Sequence, residues 1–286
     1  MKNIKNSKKT GFLKKLFIKI CRKLGFEIIA QNTFEIVTSG KKINEDISVI
    51  GEKSINLPLG IIKIKRKVKA LDIIIRTCSS VNMLTQTKNR IFEKDKIVYT
   101  AKTIKSLINS VKYDPQLEKI NVQFKVIDHN SSDENLEKIS SIFKNSKKKY
   151  DLHKLDLSKY EKNIEKINER GEEVSHNQMS NMANINQSLL ESKNSNDLVY
   201  FVEDDYLHKK EAISEMVFTY ERLASQLDKE IIICPADYPY LYTQAELTQN
   251  FLGKKYHWRK VNETLCTFLT SKKIIEKYWD KYLSMC

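Results

Sequence analysis

The 286-residue chain is 41% hydrophobic and 30% charged, a composition typical of a soluble globular protein rather than a disordered or membrane-embedded one. Its formal net charge of +14 is concentrated in two segments, since residues 1–25 carry nine Lys or Arg and no acid, and residues 63–69 carry five more. The remainder is neutral overall, which argues against a nucleic-acid-binding face on the main body, and no nucleic-acid partner is expected. Five scattered cysteines without a CxxC pair disfavour a zinc site or a disulfide framework and favour a reducing compartment.

The first element predicted is a basic amphipathic helix within residues 1–26. One helical face carries the apolar side chains of Phe12, Leu13, Leu16, Phe17, Ile20 and Leu24. Lysines and arginines occupy the rest of the helix surface. Such a helix suits an anionic membrane surface, although it could also pack against its own domain. No stretch approaches the roughly 18 apolar residues of a membrane span, and no cleavable signal peptide is recognisable. We therefore expect a cytoplasmic protein, peripheral at the inner face of the cytoplasmic membrane.

Residues 27–70 predict a small β-rich segment, because apolar residues alternate at 47–50 and 61–65 between glycines and a proline. From residue 71 strands alternate with helices. The predicted strands are 71–78, 122–128, 152–157, 198–202 and 230–234, and the predicted helices are 97–111, 134–143, 179–190 and 211–227. This order predicts an α/β domain over residues 71–286 with a mainly parallel sheet flanked by helices.

The apolar strand that begins at Leu198 stops at three consecutive acids, Glu203, Asp204 and Asp205. Three carboxylates at one strand end repel one another, and a divalent cation with oxygen ligands is their natural partner. Ligands bind beyond the carboxyl ends of strands in an open parallel sheet. The alternative is an acidic start to the next helix, where Asp and Glu are favourable.

Two further features complete a pattern. The second strand ends in Ile127-Asp-His-Asn-Ser-Ser-Asp133, and the helix at 180–192 is rich in asparagine. With the acids at 203–205, they resemble the D-x-G-S-x-D turn, the A-R-N-x-G helix and the DXD motif of family 2 glycosyltransferases, in the same order over about residues 71–270. The resemblance implies the GT-A fold, a Rossmann-type architecture, with a nucleotide-sugar-binding half at 71–205 and an acceptor half at 206–286. It departs at Asn130, which replaces the turn glycine, and in the helix, where no Arg precedes the Asn.

The resemblance also implies roles for individual residues. Asp205 is the expected direct ligand of Mn²⁺ or Mg²⁺. Asp204, a second candidate ligand, or Glu203 would reach the ribose hydroxyls or an outer-shell water, and His257 could be a further metal ligand, although a His beside a Trp is often structural. The metal would neutralise the leaving diphosphate.

The nucleotide-sugar would be held by residues of the first two strands and the helix. Asp128 is expected to accept a hydrogen bond from the uracil imide, or else to stabilise its own turn. Arg76 and Thr77 are placed to contact the base or the diphosphate, although Arg76 could instead pair with Asp72 or Glu93. On the helix, Asn184 is the candidate, and Asn181 and Asn186 compete for the same place in the motif.

An inverting transfer needs a base to deprotonate the acceptor hydroxyl, and the candidates are Asp237, which we prefer, and Glu263. The sequence thus predicts a metal-dependent glycosyltransferase of the hexosyltransferase type. It would move a sugar from a nucleotide diphosphate, UDP favoured, to a glycan or lipid-linked acceptor in cell-surface glycan synthesis. The alternatives are a sugar-phosphate nucleotidyltransferase, disfavoured because no Gly-rich phosphate loop follows the first strand, and a non-enzymatic basic membrane adaptor.

Overall fold

A computed structural model describes residues 12–26, 63–79, 95–160, 167, 171, 173–242 and 248–284. The strands are β1 (Ala70–Thr77), β2 (Asn121–Asp128), β3 (Tyr150–Lys154), β4 (Leu198–Glu203), β5 (Asn250–Leu252), β6 (His257–Arg259) and β7 (Phe268–Ser271). The α-helices are α1 (Phe12–Lys23), α2 (Lys96–Tyr113), α3 (Asp133–Ser146), α4 (His176–Ser192), α5 (Ala212–Leu227), α6 (Lys272–Lys277) and α7 (Trp279–Leu283).

The main sheet has the strand order β3-β2-β1-β4-β7. The first four of these strands are parallel, and β7 pairs antiparallel with β4 at the edge. All eight residues of β1 are buried, as expected for a central strand covered on both faces. The predicted mixed α/β architecture, with a mainly parallel sheet between helices, is confirmed.

Side-chain alternation along β1 divides the core into two layers. Ile73 and Ile75 pack in the layer that contains the apolar side chains of α2, α3 and α5. Ile74 packs in the opposite layer, with side chains from α4, α6 and α7. Complete burial of each such side chain stabilises the fold by about 2–3 kcal/mol, so the sheet and both helical layers depend on each other.

Polar caps fix where the helices begin. Ser132 accepts a hydrogen bond from Asn135 N–H at the start of α3. Ser175 and Gln178 form a capping box at the start of α4. These caps place the first turns of α3 and α4 at the carboxyl edge of the sheet, where β2 ends.

The predicted strand at 230–234 is wrong. Among the described residues this segment makes only an isolated bridge, in which Ile233 and Leu269 exchange two backbone hydrogen bonds of 2.8 Å. Pro235 lacks a backbone N–H and limits any extension of the ladder. The strand that pairs with β4 on the side away from β1 is β7. It was not predicted because it is only four residues long.

The basic segment before β1 is tied to the domain by Arg66. Its guanidinium forms ion pairs with Asp197, which precedes β4, and with Glu230. These contacts lie at the amino edge of the sheet, so part of this basic cluster serves the fold. The predicted β segment lies almost entirely outside the described residues, and the proposed domain boundaries remain predictions.

Helix α1 has exposed apolar side chains, including Leu13 at 78% and Phe17 at 59%. None of the helices in the described ranges combines the length and apolar character needed to cross a membrane.

A buried carboxylate on α5 docks the β5–β6 hairpin. Glu215 is 3% exposed and accepts hydrogen bonds from the backbone N–H groups of Lys254, Lys255 and Tyr256 and from Trp258 Nε1. Gly253 lies against the same carboxylate, and a Cβ at this position would come within 2.7 Å of Thr219 Oγ1 and closer still to Glu215. The hairpin that carries His257 and Arg259 is thereby fixed to the helical layer.

Replacing Glu215 by Gln should lower the free energy of unfolding by about 2–3 kcal/mol, because an amide cannot accept all of these hydrogen bonds and its NH₂ group would face donors. Gly253→Ala should destabilise the protein through the same contact. Urea unfolding would measure both effects. Glu211→Gln, which changes a surface carboxylate bonded to Tyr256 Oη, should lower the free energy of unfolding far less than Glu215→Gln. Equal losses in the two variants would refute the docking role.

Candidate functional site at the carboxyl edge of the sheet

The site lies where β1 and β4 end side by side. The helices that follow β1 and β2 cover one face of the sheet, whereas α4, which precedes β4, covers the other. The chain therefore changes face between β1 and β4, and such a topological switch point opens a crevice at the carboxyl ends of the strands. Polar residues of both strands border this crevice.

Glu203 turns toward the α4 layer. Its Oε1 lies 3.1 Å from Arg76 Nη2, and its Oε2 lies 3.5 Å from Thr267 Oγ1. The contact with Arg76 is ionic, because Nη2 has no partner in hydrogen-bond geometry among the described residues. Burial raises the pKa of Glu203 above its ordinary value, and the charge of Arg76 offsets part of that rise.

Asp204 turns toward the opposite layer and is 5% exposed. Its carboxylate accepts a 2.8 Å hydrogen bond from Thr100 Oγ1 and lies 3.3 Å from Lys96 Nζ. Burial raises the pKa of Asp204, and Lys96 and Thr100 lower it in part. Lys96 and Thr100 open α2 and were missed by sequence reasoning, because they lie about a hundred residues before the acids in the chain.

The carboxylates expected to bind a metal therefore lie in different surroundings. Asp205 is exposed at the edge, whereas Asp204 is buried against Thr100 and Lys96. Within the described ranges, no three His, Cys, Asp or Glu side chains are grouped to hold a metal ion, so the structure does not bring Asp204, Asp205 and His257 together. Asp205 and the partly exposed Glu203 fit a cation that takes its remaining ligands from bound phosphates, as Mg²⁺ commonly does.

Asp128 joins the ends of β1 and β2. Its Oδ1 accepts hydrogen bonds of 2.6 Å from both Thr77 Oγ1 and Ser131 Oγ, and its Oδ2 accepts one from Ser131 N–H. The turn continues through Asn130, whose φ of 61° is left-handed; Asn is one of the residues that tolerate this region. Asp128 and Thr77 are thus neighbours, and both are nearly fully buried.

The asparagines of α4 reach the same strand ends. Asn184 Nδ2 donates to the carbonyl of Ile127 at 3.2 Å, and its Oδ1 is buried with no hydrogen-bond partner among the described atoms. One turn earlier, Asn181 Oδ1 accepts from Arg76 Nη1 at 3.3 Å. Of the two alternative partners considered for Arg76, Asp72 instead pairs with Lys125 at 2.9 Å, and Glu93 lies outside the described residues.

A pair of tyrosines joins the acid cluster to the predicted acceptor half. Tyr206 Oη and Tyr238 Oη are 2.8 Å apart, so the segment after Cys234 lies beside the end of β4. Burial raises the pKa of Tyr238, and the hydrogen bond with Tyr206 raises it further. The tyrosine pair brings Asp237 into the neighbourhood of the crevice.

Asp237 forms a 2.9 Å ion pair with Arg259 of β6 and accepts a hydrogen bond from Tyr242 Oη. Burial raises the pKa of Asp237, but these two partners outweigh that effect and bring the pKa below its ordinary value. A carboxylate held in this way is a weaker base than a solvated one. The other candidate base, Glu263, is exposed in the segment between β6 and β7.

His208 closes the loop that follows the acids. Its Nε2 lies 2.7 Å from Tyr200 Oη, and its backbone N–H donates to Ser106 Oγ at 3.0 Å. Burial lowers the pKa of His208 to about 4, so the imidazole is neutral at pH 7. Through Ser106 it fixes the segment after β4 on the middle of α2.

Comparison with known proteins assigns the chain to no family. No family model matches the sequence, and no curated protein matches it. Among solved structures, the chain is similar to the crystal structure of S. aureus TarS 1–349, with 14% sequence identity, coverage of 73% of this chain and 48% of the TarS chain, and a TM-score of 0.40. The chain thus spans about half the length of that TarS chain, and the likeness is too distant to assign a function.

His208 should make stability depend on pH. Its pKa is about 4 in the folded protein and about 6.5 when unfolded, so the unfolded state binds more protons between these values. The free energy of unfolding should therefore fall as the pH drops from about 6.5 to about 4, by up to about 3 kcal/mol. Urea unfolding at several pH values would test this. His208→Gln should remove that part of the slope, and parallel curves for the two proteins would contradict the assignment.

Proposed function

We propose that the chain is a glycosyltransferase that moves a sugar from a nucleotide diphosphate, UDP favoured, to a hydroxyl acceptor with inversion. The observation that carries the proposal is the convergence of Arg76, Thr77, Asp128 and Glu203 at the switch point of a parallel sheet. Nucleotides bind at such crevices. The motif order over residues 71–270, which resembles family 2 glycosyltransferases, supports the same function.

Asp128 is the proposed contact to the base. Its Oδ2 accepts a single hydrogen bond among the described residues, from Ser131 N–H, and a carboxylate oxygen can accept a second. An imide N–H of uracil would fill that position. Arg76, held by Asn181 and Glu203, would face the diphosphate, and Asn184 would keep the strand ends and α4 in register.

A divalent cation, Mn²⁺ or Mg²⁺, would be held by Asp205 together with the phosphates of the donor, with Glu203 in reach of the ribose or of an outer-shell water. When bound, it would supply Lewis-acid neutralisation of the leaving diphosphate. Asp204 would contribute by fixing α2 against β4. A role for His257 would require the β5–β6 hairpin to approach the acids.

Asp237 and Glu263 are the proposed alternatives for the base. Asp237 lies beside Tyr238, next to the acid cluster, but its carboxylate is paired with Arg259. An acceptor that draws Arg259 away would raise the basicity of Asp237, because the ion pair, together with the hydrogen bond from Tyr242, lowers the pKa of this carboxyl. Glu263 would need no such displacement, but lies in a segment without regular secondary structure.

We also propose that α1 lies on the anionic cytoplasmic face of the membrane, where a lipid-linked or cell-surface glycan acceptor would be met. Its exposed apolar side chains, which include Leu13 and Phe17, would enter the interface, and its lysines would face anionic headgroups. The chain would then be a peripheral membrane enzyme of glycan biosynthesis.

Nucleotide binding tests the catalytic proposal. The wild-type protein should be stabilised by UDP or GDP in a thermal-shift assay, and more strongly with Mn²⁺, because ligands that bind only the folded state raise the midpoint. Asp205→Ala should lose the Mn²⁺-dependent part of the shift. Asp133→Ala, which removes an exposed acid paired with Lys154 at the start of α3, is the matched control and should keep it. Wild-type protein that responds to no nucleotide would overturn the proposal and favour the adaptor alternative.

Vesicle flotation tests the membrane proposal. Wild-type protein should float with vesicles rich in phosphatidylglycerol and much less with phosphatidylcholine alone. A double variant, Leu13→Ser with Phe17→Ser, should bind at least about tenfold more weakly, since each substitution removes apolar area that would enter the bilayer. Both side chains are exposed, so folding should not suffer. Tyr278→Ser, at another exposed aromatic, is the control, and equal flotation of all three proteins would refute the proposal.

A further inference from the structure

Lys96 occupies a position that the proposed function has not used. It is the first residue of α2, and its side chain lies over the end of β4, where Nζ is 3.3 Å from Asp204 Oδ1. Because α2 is the helix of the crossover that follows β1, its first turn lies at the carboxyl edge of the sheet. Lys96 and Arg76 thus approach the acids from opposite layers at the switch point between β1 and β4.

The contact between Lys96 and Asp204 is loose for an ion pair. Charge-assisted N–H···O bonds are usually 2.7–2.9 Å long, and Nζ lies 3.3 Å from Oδ1. The shorter bond to the carboxylate is that of Thr100 Oγ1, at 2.8 Å. The Lys96 side chain is 18% exposed, whereas that of Asp204 is 7% exposed. The Lys96 side chain is therefore more accessible to solvent than the acid that it contacts.

The two cations differ in their freedom to move. Arg76 is 6% exposed and is held by Asn181 and Glu203. Lys96 has a flexible four-carbon stem and a compact ammonium with three donors, so it can turn from Asp204 toward the crevice by rotating its own side chain. Asp204 would keep the hydrogen bond from Thr100 during that movement.

We propose that Lys96 binds the phosphate groups of the nucleotide diphosphate and is held on Asp204 until the donor arrives. The inference rests on the proposed function, because it requires a diphosphate in the crevice. Among the described residues, the acids at the site are Asp128, Glu203, Asp204 and Asp205 and the cations are Arg76 and Lys96, and a diphosphate adds further negative charge. A lysine that exchanges a carboxylate for a phosphate at the same edge supplies part of the charge that this ligand needs.

Isothermal titration with uridine, UMP and UDP, and with the corresponding guanosine series, tests the proposal at a fixed Mn²⁺ concentration. Lys96→Met should weaken binding of the diphosphate about tenfold, that of the monophosphate less, and that of the nucleoside not at all. The salt dependence of diphosphate binding should also become shallower in this variant. Lys96→Arg, which keeps the charge, should recover most of the lost affinity.

Thr100→Val is the matched control, because it removes the other hydrogen bond to Asp204 without removing a charge, and it should affect the three ligands of a series alike. Thermal unfolding of each variant reports whether it folds. Equal weakening of nucleoside, monophosphate and diphosphate by Lys96→Met would show a merely structural role and overturn the inference, as would unchanged diphosphate binding. If the wild-type protein binds none of the nucleotides, the proposed function fails and the inference fails with it.

Discussion

The arrangement at the carboxyl edge follows from the opposite directions of neighbouring side chains at the end of a strand. Glu203 and Asp204 are adjacent in sequence, yet one contacts Arg76 in the α4 layer and the other contacts Lys96 in the α2 layer. Each acid therefore meets a cation supplied by a different part of the chain. A buried carboxylate with neither a cation nor a hydrogen-bond donor would be costly, so these contacts connect the helical layers to the centre of the sheet.

The pairing of Glu203 with Arg76 and of Asp204 with Lys96 changes the charge that the three consecutive acids present to a ligand. A cluster of free carboxylates would present its whole charge to a metal ion, whereas here Arg76 and Lys96 offset two of the three charges. Under the proposed function, such an edge would suit a cation that arrives with a phosphate ligand more than one bound by the protein alone. Arg76, Lys96 and the metal–diphosphate complex would then share the neutralisation of the leaving group.

The strands and helices of residues 71–205 were predictable from the sequence because their signals are local. The apolar run at Leu198–Val202, the Ser132 cap and the left-handed Asn130 all follow from residues that are close in the chain. The edge strand β7 was missed because four residues give too short a pattern, and the segment at 230–234 was mistaken for a strand because apolar content cannot distinguish a bridge from a ladder.

The candidate site was predictable only in outline for a related reason. Sequence placed Asp128, Arg76 and Glu203 at strand ends, but it could not show which side chains would meet them. Thr100 and Lys96 reach Asp204 across more than a hundred residues, and Arg259 reaches Asp237 from a hairpin whose position is set by Glu215. Such contacts depend on the packing of whole elements, which leaves no local signal.

Arg66 fixes the point at which the chain enters the domain. Its ion pairs with Asp197 and Glu230 hold the segment before β1 at the amino edge of the sheet, on the side opposite the crevice. Any upstream part of the chain that is attached to a surface therefore pulls on the domain from behind its site. A tether joined there would leave the mouth of the crevice unobstructed.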